Sequence, residues 1–126
     1  MRTPTILIIL MSVMVVVFAS VALAKVINGN DNDNRLLGTQ NDDTINGKGG
    51  DDFITGKQGN DKLILGSGED VGVGGPGNDV IRAVDRSEDK IRCLQGFDRV
   101  TANPGDDISH METGCERVIR NGIRVN

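Results

Sequence analysis

Gly74-Gly75-Pro76-Gly77-Asn78-Asp79-Val80-Ile81-Arg82 is the stretch on which the fold turns, because altered copies of it precede it at a spacing of nine residues. Counting back from Gly74, units start at Leu65, Gly56, Gly47, Gly38 and Gly29. Position 6 of the successive units reads Asn34, Asp43, Asp52, Asp61, Asp70, Asp79, and position 8 reads Leu36, Ile45, Ile54, Leu63, Gly72, Ile81. Position 4 is Asn or Gly throughout, from Asn32 to Gly77. A biased composition alone would not hold that register for the 54 residues from Gly29 to Arg82. A fixed short period of this kind marks a stacked repeat architecture.

Each position has a physical role. Positions 1 to 6 are dominated by Gly, Asn and Asp, which tolerate positive φ and make turns. Positions 7 to 9 form a three-residue strand whose middle side chain points to one face and whose outer two point to the other. The inward residue is then aliphatic in five units of six, and the outward ones include Arg35, Thr44, Asn46, Thr55, Lys62 and Arg82. Two units make one turn of a coil, with strands stacked in parallel about 4.8 Å apart. The fold expected is all-β, a parallel β-roll with a core of two thin columns of Leu and Ile.

Composition demands such a solution. Aromatic residues are 2% of the 126-residue chain, Trp and Tyr are absent, and all 17 Gly follow residue 28. A single domain so built lacks the side chains for a thick core, so a backbone ladder, metal or disulfide must supply stability. Charge is uneven as well. Asp31 to Asp79 carries four basic and ten acidic side chains, whereas Val80 to Asn126 carries eight of each. The acidic half repels itself without counter-charge. No basic patch interleaved with aromatics exists, which argues against a nucleic-acid partner.

After Arg82 the frame shifts. The simplest reading makes Ala83 an extra residue, with units resuming at Val84 and Cys93, Asp89 and Asp98 at position 6, and a degraded unit from Ala102 containing Asp107. At the other end, Arg2 followed by the apolar run Ile6 to Leu23 and the small-x-small motif Ala22-Leu23-Ala24 reads as an export signal, residues 1–24, cleaved before Lys25. The run exceeds the usual length of about 7–15 residues, so an uncleaved membrane anchor with the body outside is the other reading. Export favours a disulfide between Cys93 and Cys115, against free buried thiols or an intermolecular bridge. Val118 to Val125, with Asn121-Gly122 at its centre, reads as a hairpin. The organisation expected is a signal segment 1–24, a β-roll 25–101 and a cap 102–126 tied on by the disulfide.

The repeat resembles the repeats-in-toxin, or haemolysin-type, calcium-binding nonapeptide, G-G-x-G-x-D-x-U-x with U aliphatic. Gly74–Arg82 matches at every position; Gly56–Ile64 and Gly47–Thr55 match at most, with Lys57 and Lys48 in place of the second glycine. The resemblance implies calcium held between stacked turns by position 6 carboxylates and turn carbonyls from units 18 residues apart. Carried over by position, the ligands are Asp43, Asp61 and Asp79 on one edge and Asn34, Asp52 and Asp70 on the other. Asp89 and Asp98 continue the two series with weaker pairing, because the extra residue intervenes. Asn34 in place of Asp, Leu65 in place of Gly and Gly72 in place of an aliphatic put the sites of Asn34 and Asp70 in question. Calcium suits such a site on chemical grounds, since it takes six to eight hard oxygen ligands, whereas magnesium dehydrates reluctantly and the lone His110 with two Cys makes no zinc set. The alternative is a metal-free Asn/Asp turn ladder.

These observations lead to an exported, monomeric calcium-binding protein with a structural or surface-associated role. The alternative is a calcium-dependent adhesin or binding module for a cell-surface or extracellular protein or polysaccharide. No enzyme is expected: repeated turn carboxylates are metal ligands before they are acid–base pairs, and His110 has no identifiable nucleophile or orienting partner in the sequence. The toxin, protease and lipase activities of larger relatives have no domain here to carry them.

Overall fold

A computed structural model describes residues 23–109, 115, 117–120 and 123–125 of the chain. Segment 1–22, His110, Met111 and the Asn121-Gly122 turn lie outside the described residues. The strands are β1 (Val26–Asn28), β2 (Arg35–Leu37), β3 (Thr44–Asn46), β4 (Phe53–Thr55), β5 (Lys62–Ile64), β6 (Val71–Val73), β7 (Val80–Arg82), β8 (Lys90–Arg92), β9 (Arg99–Ala102), β10 (Asp107–Ser109), β11 (Arg117–Arg120) and β12 (Ile123–Val125). Alternate strands go to alternate sheets. One sheet runs β1-β3-β5-β7-β9-β11-β12 and the other β2-β4-β6-β8-β10. The first ten strands make a parallel β-solenoid of about five turns.

The register follows the sequence period. Val26 pairs with Thr44, Thr44 with Lys62 and Lys62 with Val80, each partner 18 residues on. The turns carry backbone hydrogen bonds too: the amide of Ser67 donates to the Lys48 carbonyl at 2.9 Å, and that of Gly59 to Pro76 at 3.2 Å. The repulsive acidic turns are therefore held in contact layer by layer. Layers stack so closely at position 4 that a Cβ on Gly77, at φ 140°, would collide with the carbonyl of Gly59. Only glycine fits at residue 77. Lys48 and Lys57 at position 2 adopt φ of 77° and 79°, a region that costs a residue with a Cβ about 1–2 kcal/mol.

The middle residue of each strand faces inward. Ile45, Leu63, Ile81 and Val100 form one buried column, and Ile54, Ile91 and Ile108 belong to the facing one. Leu36 and Ile27, in the outermost layers, are only partly buried. Position 1 also points inward: Leu65, Ala83, Cys93 and Ala102 are core residues there.

Two expectations need correction. Ala83 is not the inserted residue. It fills the inward position 1 slot, and its amide donates to the Thr101 carbonyl just as Leu65 donates to Arg82. The extra residue lies instead in the turn between Ala83 and Asp89, where an exposed loop absorbs it. Pairing then steps by 19, as in Val71 to Lys90 and Val80 to Arg99. In the unit that starts at Ala102 the turn is one residue short, so Lys90 pairs with Asp107 at a step of 17 and Asp107 lies in a strand. Asp106 takes the turn position expected of Asp107.

The coil continues past Thr101. β10 adds to β8 in parallel and β11 adds to β9 in parallel, before β12 turns back antiparallel on β11. Cys93 and Cys115 form a disulfide with a Cα–Cα distance of 5.4 Å across 22 residues of sequence. Closing a loop of that length contributes on the order of 3 kcal/mol in the chain-entropy estimate. No helix among the described residues is long and apolar enough to cross a membrane.

Candidate metal centre

Position 6 lies at the end of each turn, one residue before a strand, and its side chain turns back under its own loop. Asp43, Asp52, Asp61, Asp70, Asp79, Asp89, Asp98 and Asp106 are all buried, with at most 4% of their surface exposed. In the units that begin with glycine the carboxylate fills the space beside position 1. A Cβ on Gly56 or Gly74 would strike Oδ2 of Asp61 or Asp79 in the same unit.

Residues 18 apart do meet, through a contact different from shared carboxylates. Oδ1 of each aspartate accepts the backbone N–H of the position 6 residue one layer earlier. The amide of Asp43 donates to Asp61 at 2.7 Å, Asp61 to Asp79 at 2.8 Å, Asn34 to Asp52 at 2.7 Å and Asp52 to Asp70 at 2.7 Å. The shifted units keep the contact at full strength, with Asp70 donating to Asp89 at 2.9 Å and Asp79 to Asp98 at 2.8 Å. Asp106 ends one column by accepting from Asp89 at 3.2 Å and from Asn103 at 2.6 Å. Asn34 differs, because its own Oδ1 is occupied by the amide of Asn30 at 2.8 Å.

The second oxygens distinguish the site. Oδ2 of Asp52, Asp70 and Asp89 on one edge, and of Asp61, Asp79 and Asp98 on the other, is buried without a hydrogen-bond donor. Asp43 is the contrast: its Oδ2 accepts both the amide and the hydroxyl of Thr39. A buried anionic oxygen with no donor is costly unless a cation meets it. Six such oxygens lie in two files, one along each edge of the coil. Among the described residues no three His, Cys, Asp or Glu side chains converge on one point, so one carboxylate cluster does not make a site. A cation there would need turn carbonyls as further ligands, and an all-oxygen set of that kind fits calcium and no soft metal.

A second ladder, not legible from position 6 alone, runs the opposite way at position 5. Oδ1 of Asp33 accepts the amide of Asp51 at 2.9 Å, Asp51 that of Glu69 at 2.9 Å, Asp42 that of Asn60 at 2.7 Å, and Asn60 that of Asn78 at 2.8 Å. Asn78 continues it to the amide of Phe97 at 2.8 Å. The recurrence of Asp or Asn at position 5 in five of six units is the sequence signal for it. Asp85, in the ten-residue unit, accepts from Gly68 at 3.1 Å.

Burial pushes the carboxyls upward. Asp61 and Asp70 rise to about 6, and Asp79 and Asp89 to about 7; desolvation is the main cause, and neighbouring aspartates add repulsion. Asp52 and Asp98 are also raised by burial. At Asp43 burial is outweighed by hydrogen bonds from Thr39 and Lys25, and the carboxyl is lowered. Raised carboxyls mean that the metal-free coil holds protons the unfolded chain has lost. That stabilisation is complete below the ordinary carboxylate range and disappears as pH rises through about 6 to 7. A cation held at these oxygens would compete with protons for them. Calcium affinity is expected to fall as pH drops from 8 to 6, with protons released on binding. Calorimetric titration in two buffers of different ionisation enthalpy measures that release, and an affinity flat across this range would contradict it.

The RTX calcium-binding nonapeptide repeat family matches residues 28–63 and 64–83. The solution structure of the AlgE6R3 subunit from the Azotobacter vinelandii mannuronan C5-epimerase is similar, at a TM-score of 0.52 and 32% identity. The likeness covers 69% of this chain and 54% of that one, so the chain spans about half of its relative's length. No curated protein matches the sequence.

Proposed function

We propose, from the premise that this chain carries RTX haemolysin-type calcium-binding nonapeptide repeats, that it is an exported, non-catalytic, monomeric module whose coil folds on binding calcium. RTX repeats typically bind calcium, and RTX repeat proteins are generally secreted. The observation that carries the reading is the double file of buried Oδ2 atoms without donors. The protein partners of these carboxylates are backbone amides and not acid–base or nucleophilic side chains, which supports a structural role. Asp52, Asp61, Asp70, Asp79, Asp89 and Asp98 would hold the ions with carbonyls of the Gly-rich turns. Asp43 and Asn34, whose side-chain oxygens already have local donors, would contribute least.

Asp61→Asn and Asp79→Asn test this with the ladder kept intact. Asparagine retains an acceptor for the amide one layer earlier and replaces the orphaned oxygen with an NH2 group. Each variant is expected to lose about tenfold or more in calcium affinity by calorimetry. An unchanged titration would remove these aspartates from the ligand set.

A second reading has its own observation. The strand faces carry exposed Lys62, Arg82, Lys90, Arg92 and Arg99, while the acids of the described residues, Asp107 apart, gather in the turns. Such faces suit an acidic extracellular polymer once calcium neutralises the edges. Mannuronan, named for the epimerase whose subunit this coil resembles, is the first to try. Calcium-dependent retention on a mannuronan matrix that is lost in Arg82→Ala/Arg99→Ala would support an adhesin; passage unretarded in calcium would count against it.

A further inference from the structure

The position 6 ladder has one member unlike the rest. At the start of the coil the donor to Asp43 Oδ1 is the backbone nitrogen of Lys25, at 2.8 Å and 18 residues away. The carbonyl of Lys25 in turn accepts the amide of Thr44 at 2.8 Å. Lys25 therefore occupies position 6 of a turn whose earlier residues would be 20–24, one residue before β1. Like the other donors in the two files, its nitrogen is a peptide N–H in the uncleaved chain. This one immediately follows Ala22-Leu23-Ala24, the small-x-small motif of the export signal.

Cleavage there is a hydrolysis. Water adds across the Ala24–Lys25 amide bond, the carboxylate leaves with Ala24, and the nitrogen of Lys25 becomes an ammonium. The scission also removes residues 20–24, leaving no preceding segment to lend carbonyls to an ion in that layer. Asp43 is suited to do without one, because both its oxygens have donors: Oδ1 the Lys25 nitrogen and Oδ2 the Thr39 amide and hydroxyl. In the layers that follow, Oδ2 of six aspartates has no donor.

We infer that cleavage after Ala24 sets the new α-ammonium of Lys25 on the Asp43 carboxylate, so that processing itself caps the first layer of this edge with a fixed cation. The inference rests on the exported reading above. It turns a hydrogen bond in which only the carboxylate is charged into one between two charged groups.

The test uses the oxidised chain in saturating calcium with three N-termini: Lys25 with a free amine, Lys25 Nα-acetylated, and a start at Leu23. Acetylation keeps one N–H and removes only the charge. The free-amine chain is expected to melt about 4–8 °C above the other two, and Asp43→Asn to abolish the difference. Equal midpoints for free and acetylated chains overturn the inference, as does a difference that survives Asp43→Asn. A crystal structure of the processed chain decides the matter if that variant does not fold: an ammonium placed away from Asp43 overturns it, and one on Asp43 supports it. Intact mass of the exported protein checks the start; a chain beginning elsewhere than Lys25 also overturns it. Failure of the calcium reading would show separately, as absence of calorimetric heat with the melting difference unchanged.

Discussion

Removing calcium at pH 7.5 is expected to unfold the coil and leave only the disulfide-tied end with residual order. The reasons are local and cumulative. Six buried carboxylates each keep an oxygen without a donor. Without the ion those oxygens are left as unpaired charges or must take up protons, and at pH 7.5 even the carboxyls raised to about 7 are mostly ionised. Against this stands a core of single aliphatic side chains, each giving about 1.5–3 kcal/mol on burial. Ordering the backbone costs about 1–2 kcal/mol per residue, and glycine loses the most freedom. So thin a core does not offset that cost. Ion binding then appears directly as folding energy, about 2.7 kcal/mol per independent site when free calcium is 100 times its dissociation constant. Far-ultraviolet circular dichroism is expected to lose its β signal in chelator and regain it on adding calcium. The pH dependence gives a further handle: acidification to about 5 protonates the raised carboxyls and should restore part of the signal in chelator. A folded spectrum in chelator at pH 7.5 would separate folding from the ion.

The sequence made the coil legible because its period is strict where the backbone is strict. Asp at position 6 and an aliphatic at position 8 announced the inward file, the outward faces and the 18-residue register, all of which the strand pairings reproduce. What stayed illegible depends on residues whose identity does not reveal direction. Ala83 looks like spare chain, because a methyl group carries no pattern; its role as a core residue emerges only from the ladder bond to Thr101. Asp106 and Asp107 are adjacent and chemically identical, and the choice between them is made by a turn one residue short, which no propensity encodes. The inward direction of position 1 was hidden because glycine occupies it in most early units. The carboxylate-to-amide ladder was hidden for another reason. Position 6 was read for its charge, while half of each carboxylate serves the backbone.

Leu65 and Gly72 turn that hidden inward direction into the second large effect. In the sequence they stand as two separate departures from the repeat, a side chain at position 1 where glycine is usual and none at position 8 where an aliphatic is usual. In the coil they are one exchange. Leu65 is fully buried, and Gly72 sits in β6 between Ile54 and Ile91 of the flanking strands. A Cβ on Gly72 would lie 2.8 Å from Cδ2 and 3.0 Å from Cδ1 of Leu65. The leucine reaches across the unit and fills the space an isoleucine at 72 would take. Leu65→Gly should therefore open a cavity in the middle of the column, at a cost of about 3–5 kcal/mol. Gly72→Ile should overpack the same space, at a cost of about 1–3 kcal/mol or more. Their combination restores the ordinary repeat and should recover most of both losses. The coupling would then exceed the roughly 0.5–3 kcal/mol typical of residues in contact, or sit at its upper end. Urea unfolding of the four proteins in saturating calcium measures the cycle. Simple addition of the two losses in the double variant would mean that the side chains do not share one volume, and that position 1 is not part of the core in this layer.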